Sequence, residues 1–261
     1  MKRSPFLLAY TVLVYLFLYA PVLVMALYSF NQDPRNAVWK GFTLEWYARL
    51  LQDSEIQRAL LNSLQVGLIA TLAATVLGTM AALALTRYRF RMQGALSGLV
   101  FLPMVVPEVV MGTSLLAFLA AIGWKLSLST IIVAHIAFCV SYVTITVRAR
   151  LAGMDFRLEE AAADLGAGPW DTFRLVTLPR ILPGVISGAL LCLTISIDDF
   201  VVTFFTQGIG SGTLPIRIYS MVKTGITPEI NAVSTLMLLT TFSLMLLYGR
   251  LGSGQEPSRA R

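Results

Sequence analysis

Two adjacent aspartates, Asp198 and Asp199, lie in an otherwise apolar stretch of the chain, TISIDDFVVTFF, at residues 194–205. A third acid, Glu108, lies in another apolar stretch. A charged side chain at the centre of a bilayer costs about 2.5–3.5 kcal/mol on insertion scales, and such residues usually mark a function. Such residues usually face the interior of a helix bundle or a water-filled path, so the three acids predict a functional site within the membrane.

Helical periodicity predicts different surroundings for the two aspartates. On a continuous helix, residues spaced by four, seven, eleven and fourteen positions share one face. One such face is small and polar and consists of Cys192, Ser196, Asp199, Thr203 and Thr206. The face that contains Asp198 is more apolar. We therefore predict that Asp199 faces a polar pathway. Asp198 could border the same cavity, because adjacent helical residues point only about 100° apart.

Each acid also has a structural alternative. Either aspartate could pair with a neighbouring subunit or cap a broken helix. Glu108 follows Pro103 and Pro107, which remove backbone donors and should kink a helix there, and its carboxyl could bond the backbone groups that the kink sets free. Three phenylalanines near the aspartates could flank a cation with their ring faces or simply pack at the end of the span: Phe200, Phe204 and Phe205.

The other reactive side chains are too few and too scattered for a catalytic or metal site. The sequence has one histidine, His135, and two cysteines, Cys139 and Cys192, all within apolar stretches. This is neither a disulfide framework nor a set of metal ligands, and we expect the histidine to be a packing residue. A membrane-embedded enzyme would need a nucleophile with a base, or a metal ion. We therefore expect no catalytic residue and no metal on this chain.

The elements that position these acids must be membrane spans. Of 261 residues, 56% are hydrophobic and 13% charged, and the mean hydropathy is +0.74, which is typical of a membrane protein. A span needs about 20 mostly apolar residues, and six candidates are present: residues 6–29, 62–86, 95–122, 127–147, 181–205 and 230–249. We predict an all-α polytopic membrane protein with a single domain at residues 1–250 and a disordered tail at 251–261.

The distribution of basic residues predicts the orientation of the spans. Lys2 and Arg3 precede the first span, which is too long for the apolar part of a signal peptide and has no A-x-A-like cleavage site, so it is expected to remain as a helix. Most of the 20 lysines and arginines fall on the side of the two termini, which should therefore be cytoplasmic. This topology explains the net charge of +6 better than binding to nucleic acid does.

The largest polar insert, residues 148–180, falls between the fourth and fifth spans on the predicted cytoplasmic side. Asp155 is a candidate N-cap and Gly166 a candidate C-terminal stop for a short helix. Pro169 should begin a second short helix. Pro179 and Pro183 should end that helix and begin the fifth span.

The insert resembles the EAA loop of ABC importer permeases. The matching residues are Glu160, Ala161, Ala162, Gly166, Leu178 and Pro179, with Val176 where the family has Ile. In that family the loop is a coupling helix that docks in a groove of the ATP-binding subunit. The resemblance implies that a set of residues forms this docking surface: Glu160, Ala161, Ala162, Asp164, Leu165, Gly166 and Pro179. An ordinary amphipathic connector is the alternative.

The resemblance to the polyamine (spermidine/putrescine) importer permeases extends over nearly the whole chain. It includes YAPVLVMALYSFN, GFTLEWYARLL, RYRFR, ISIDDFVVTFF and LPIRIYSMVKTGITPEINA. It implies the type I, MetI-like permease fold in a bacterial inner membrane. Substrate-pathway residues are then expected among Asp199, Asp198, Glu108, Thr203, Ser196 and Phe204.

The same resemblance implies several partners. The chain has no G-x-x-x-x-G-K-[ST] phosphate loop, so ATP and Mg²⁺ are expected on two ATP-binding subunits and no cofactor is expected on this chain. A second, different permease subunit, a periplasmic substrate-binding protein and membrane lipid complete the expected assembly. The alternatives are an importer for iron, thiamine, sulfate or another small solute, and a secondary transporter in which the acids relay protons.

Overall fold

The computed structural model describes residues 5–225 and 227–253. Within this part of the chain the secondary structure is helical, apart from an isolated antiparallel bridge between Asn31 and Phe42. The helices are α1 (Pro5–Tyr28), α2 (Glu45–Leu50), α3 (Ser54–Arg87), α4 (Gln93–Val105), α5 (Glu108–Ala121), α6 (Leu128–Ala152), α7 (Arg157–Asp164), α8 (Pro169–Thr172), α9 (Leu178–Asp198), α10 (Val201–Thr206), α11 (Leu214–Thr224) and α12 (Pro228–Ser253). A π-helical turn, Phe173–Thr177, joins α8 to α9.

The helices confirm the predicted all-α membrane protein. Five helical runs in the described residues are long and apolar enough to cross a bilayer: α1, α3, α6, α12 and the combined run Pro169–Asp198. The pair α4 and α5 supplies the sixth span if it is counted as one. α12 continues to Ser253, three residues into the predicted tail, and residues 254–261 lie outside the described part.

The third span is broken rather than kinked, so the prediction of one helix over 95–122 is wrong. α4 ends at Val105 and α5 begins at Glu108. The helix axis bends by 112° at this break. The residue before a proline is forced towards extended geometry, and Val106 has a ψ of 130°. Pro107, which also lacks a backbone donor, completes the break, whereas Pro103 stays inside α4.

The fifth span also differs from its prediction. The prolines do not separate a short helix from the span, because α8, the π-helical turn and α9 form one run from Pro169 to Asp198. The backbone N–H of Leu178 donates to the carbonyl of Phe173, five residues earlier, and this wider turn precedes Pro179 directly. At its other end α9 stops at Asp198, and α10 begins only at Val201. The predicted continuous helix through residues 192–206 is therefore wrong.

Two compact units are present. One lies within Met1–Arg58 and Arg217–Thr240. In it Asn31 organises the segment after α1, because its side-chain amide donates to the Val38 carbonyl and its own carbonyl accepts from the Trp46 indole. Burial works to raise the pKa of Asp33 in this segment, but the hydrogen bond and the charge of Lys40 outweigh it and hold the pKa below its usual value.

The second unit lies within Ala59–Ile216 and Thr241–Arg261, and its core is built around α6. Small residues let the neighbouring helices approach α6 closely, as is common between membrane helices. A Cβ on Gly78 of α3 would lie 2.7 Å from the Cβ of Val143, and one on Gly184 of α9 would lie 2.8 Å from the Cβ of Arg150. α6 is therefore the central helix against which α3 and α9 pack.

This packing predicts opposite effects for two glycine-to-alanine substitutions in helices. Gly78→Ala inserts a methyl group where Val143 and the Val140 carbonyl leave no room, so we expect a cost of about 1–3 kcal/mol. Gly98→Ala meets no atom within 4 Å and should gain up to about 1 kcal/mol of helix propensity. Thermal unfolding in detergent should give a lower midpoint for Gly78→Ala only. Equal midpoints would contradict the close α3–α6 contact.

Candidate functional site

Asp199 directly follows the last residue of α9, and its side chain caps α10, the next helix. Asp199 is extended, with a ψ of 125°. Its Oδ2 accepts from the backbone N–H of Thr203 at 2.8 Å, and its Oδ1 accepts from that of Val202 at 3.4 Å. A carboxylate at a helix N-terminus satisfies backbone donors that have no partner within the helix. Asp199 therefore serves as the cap of α10.

His135 of α6 connects this cap to α9. Its Nδ1 lies 2.7 Å from Ser196 Oγ, its Nε2 lies 3.0 Å from Thr203 Oγ1, and Nε2 is also 3.3 Å from Asp199 Oδ2. The Thr203 hydroxyl donates its one proton to Asp199 Oδ2 at 2.8 Å, so it accepts from His135. His135 therefore carries a proton on Nε2, the nitrogen that faces Thr203 and Asp199.

The network is closed to solvent within the second unit. His135 and Thr203 are fully buried, and Ser196 and the Asp199 side chain are nearly so. The Asp199 carboxylate accepts from three donors, the backbone N–H groups of Val202 and Thr203 and the Thr203 hydroxyl, and His135 Nε2 lies close to it. Buried polar groups that are fully satisfied in this way stiffen a structure. The polar face predicted for residues 192–206 is therefore packed inside the unit.

Asp198 has the opposite environment. It is exposed at the last residue of α9, a helix of 21 residues with no basic residue in its last turn. The C-terminal end of a helix carries partial negative charge, and the carboxylate of Asp198 adds to it. The end of α9 is therefore a place that attracts a cation.

Glu108 and the phenylalanines lie on α5 and around α10. Glu108 is exposed in the first turn of α5 and interacts electrostatically with Tyr142 of α6. α5 packs closely on α10, because a Cβ on Gly112 would lie 2.6 Å from the ring of Phe205. The ring centroid of the partly exposed Phe204 lies 5.6 Å from that of Phe200 and 5.5 Å from that of Phe205. The three rings thus pack on one another and, through Phe205, on α5, the helix that begins at Glu108.

Asp155 and Gly166 lie at the two ends of the short helix predicted in the insert at residues 148–180, as expected. Asp155 Oδ1 accepts from the backbone N–H of Arg157 at 3.0 Å, at the start of α7. Gly166 has a φ of +89° and closes a Schellman motif, in which Ala167 N–H donates to the Ala162 carbonyl and Gly166 N–H to the Ala163 carbonyl. Local capping chemistry therefore defines both ends of α7.

The residues predicted to dock on a partner are mostly at the surface. Leu165 is 90% exposed and Trp170 68% exposed. Of the predicted set, Ala162 is half-buried and the others are exposed: Glu160, Ala161, Asp164, Leu165, Gly166 and Pro179. Trp170, which was not among the predicted residues, enlarges the exposed apolar area beside α7.

His135 is the site residue whose importance sequence reasoning missed. A lone histidine suggested packing, yet its ring joins Asp199, Ser196 and Thr203. The available signal was chemical: polar side chains in separate spans need partners, and they usually find them in one another.

Comparisons with known proteins agree with one another. A family model described as a binding-protein-dependent transport system inner membrane component matches residues 74–258. The spermidine/putrescine transport system permease protein PotC of Haemophilus influenzae is 43% identical over 239 residues, which cover 92% of this chain and 93% of that protein. The putrescine transport system permease protein PotI of Escherichia coli K12 is 43% identical over 243 residues, which cover 90% and 86%.

Solved structures share the fold at lower identity. A bacterial ABC transporter involved in the import of the acidic polysaccharide alginate superposes with a TM-score of 0.73 at 18% identity, covering 98% of each chain. A bacterial alginate ABC transporter in complex with an alginate pentasaccharide-bound periplasmic protein gives a TM-score of 0.70 at 18% identity, covering 95% and 92%. At this identity the likeness shows a common fold.

The buried network predicts a difference between two isosteric threonine substitutions. Thr203→Val removes the hydroxyl that joins His135 to Asp199 and should destabilise the protein by about 1–3 kcal/mol, because buried polar partners lose a bond. Thr194→Val removes a hydroxyl that bonds only the Leu190 carbonyl of its own helix and should cost within about 0.5 kcal/mol. Thermal unfolding in detergent measures both. Equal losses would mean that the network does not hold the break between α9 and α10.

Proposed function

This chain belongs to the family of binding-protein-dependent transport system inner membrane components, and we propose that it is the membrane-spanning permease of an ATP-driven importer of polyamines. The observation that carries this proposal is the 43% identity, over 92% of the chain, to a spermidine/putrescine permease. The exposed acid at the end of α9 supports it, because spermidine and putrescine carry ammonium groups. The cargo would move from the periplasm to the cytoplasm.

The two exposed acids are the groups that we assign to the cation. Asp198 lies at the negative end of α9, and Glu108 is exposed in the first turn of α5. The face of Phe204 would contact the apolar stem or an ammonium group of the cargo. Asp199, Ser196 and Thr203 act indirectly, since they hold α10 and the end of α9 in place.

Coupling to ATP takes place at the exposed surface of α7 and the turn that follows it. We assign the docking of an ATP-binding subunit to Glu160, Ala161, Ala162, Asp164, Leu165, Gly166 and Pro179. Two such subunits would bind ATP and Mg²⁺, since the sequence has no phosphate loop of the G-x-x-x-x-G-K-[ST] type. Hydrolysis therefore belongs to those partners, and this chain supplies the pathway.

The remaining partners follow from the family. A second, different permease would complete the pathway, and a periplasmic binding protein would deliver the cargo. The alginate transporter crystallised with its periplasmic protein supports the latter. Both termini would be cytoplasmic, because most lysines and arginines lie on their side. Closure of the ATP-binding subunits would then open the spans outward, and hydrolysis would return them to the inward-facing state.

The competing functions account for fewer of the sequence features and comparisons. A secondary transporter would use the acids for protons but would leave the exposed EAA surface without a role. An importer of iron, thiamine or another small solute would share the fold, but the relatives with 43% identity are polyamine permeases.

Substitution of Asp198 separates its charge from its size. Asp198→Asn should lower uptake of labelled spermidine at low concentration about tenfold, because a hydrogen bond to a charged group contributes about 1.5–3 kcal/mol. Asp198→Glu, which keeps the charge, should retain most of the uptake. The measurement is ATP-driven uptake into proteoliposomes that contain the whole importer, with ATP hydrolysis recorded in parallel. Normal uptake by Asp198→Asn would show that this acid does not contribute to the pathway. If the wild-type importer transports another solute but no polyamine, the proposed cargo is refuted.

A further inference from the structure

A second polar cluster lies on the cytoplasmic side of the second unit, away from the acids. It joins Arg87, the last residue of α3, to Glu159 in the first turn of α7 and to Thr177 just before α9. Arg87 Nη2 donates both to Glu159 Oε1 and, at 3.0 Å, to Thr177 Oγ1. The Thr177 hydroxyl donates to the same Glu159 oxygen at 2.5 Å. Each of the three side chains thus contacts the other two, and we call this set the Arg87–Glu159–Thr177 triad.

The triad is shielded from solvent. Thr177 is fully buried, and the side chains of Arg87 and Glu159 are 26% and 16% exposed. An exposed ion pair contributes about 0–1 kcal/mol at most, but removal of one partner from a shielded pair leaves the other charge unpaired, which is far more costly. Both charges also suit their helices, because Arg87 lies at a C-terminus and Glu159 at an N-terminus. The triad should therefore stay intact while the surrounding helices move.

α7 gains from such an attachment, because it has no fully buried residue to anchor it. It has eight residues, and none of them is buried. In the part of the chain that the structure describes, the side chains of α7 reach the spans through Glu159, whereas the neighbouring Glu160 is exposed. A short surface helix can transmit a push only through contacts that are stiff relative to the push.

The two ends of the cluster reach different spans. The continuous run from Pro169 to Asp198 connects the surface turn to α9 through the backbone. α3 has no such backbone connection to this turn, and Arg87 supplies a side-chain one. A displacement of α7 would thus move α3 together with α9.

We propose that the Arg87–Glu159–Thr177 triad is the positioning element that passes the movement of α7 to α3, so that ATP hydrolysis and transport stay coupled. This inference rests on the proposed function, in which α7 receives the push of an ATP-binding subunit. Its residues touch neither cargo nor nucleotide. They set how much transport results from each ATP hydrolysed.

The test compares transport with hydrolysis in the whole importer in proteoliposomes. Arg87→Gln and the isosteric Thr177→Val should lower uptake of labelled spermidine about tenfold, within the roughly 5–150-fold range of coupling between sites. Hydrolysis in the absence of the binding protein should stay within about twofold of wild type. Arg89→Gln is the matched control, because Arg89 is a nearby arginine that is exposed, and it should behave as wild type.

Exchange of the two charges distinguishes transmission from simple folding support. Arg87→Glu alone should uncouple transport, and adding Glu159→Arg should restore at least half of the uptake per ATP, since the pair is re-formed in reverse. Normal coupling in Arg87→Gln and Thr177→Val would overturn the proposal. So would variants that assemble poorly but transport normally per assembled complex, because the triad would then support folding only.

Failure of the proposed cargo can be told apart from failure of the triad. If the wild-type importer takes up neither spermidine nor putrescine, the polyamine function is refuted. The triad is then judged by the increase in ATP hydrolysis on adding the binding protein purified with its own cargo. Loss of that increase in Arg87→Gln, but not in Arg89→Gln, would still support the transmission of movement through the triad. An unchanged increase in Arg87→Gln would overturn the proposal.

Discussion

The Asp199 carboxylate, buried against His135 and the first turn of α10, is the interaction on which the site depends. A charge in this position is costly unless donors surround it, and the chain provides them by ending α9 one residue earlier and starting α10 two residues later. One consequence is a fixed break in the fifth span. Another is that the adjacent carboxylate, Asp198, is left exposed at the negative end of α9. The two aspartates, neighbours in sequence, thereby have different surroundings.

The same logic of satisfied polar groups applies at α7. α7 is ended by capping and by a left-handed glycine, so its length and its exposed surface are defined locally. Its position is defined by Glu159, which bonds Arg87 at the end of α3 and Thr177 just before α9. Between these two polar clusters, small residues on α3 and α9 pack closely on α6. Close packing with few adjustable contacts favours movement of helices as bodies.

Much of this arrangement could be predicted from the sequence, and the remainder has a physical reason. Length and hydropathy predicted the spans, and capping residues predicted both ends of α7, because those signals are local. The break at Val106 was underestimated, since two prolines in an apolar run permit either a kink or a full break. The roles of His135 and Arg87 depend on contacts between segments distant in sequence, which periodicity along one helix does not reveal. For that reason the polar face around Asp199 did not reveal that its side chains bond His135 and are buried.

The most direct test of the division between the two aspartates is the reactivity of single cysteines placed at these positions. Asp198→Cys and Asp199→Cys would be compared in importers that still hydrolyse ATP, using a positively charged methanethiosulfonate reagent with and without spermidine. Cys139 and Cys192 are fully buried, so the unsubstituted importer gives the background. The cysteine at 198 should react readily and be protected by spermidine, while the cysteine at 199 should react at the background rate. Rapid, spermidine-protected labelling at 199 with none at 198 would contradict the structural role of Asp199.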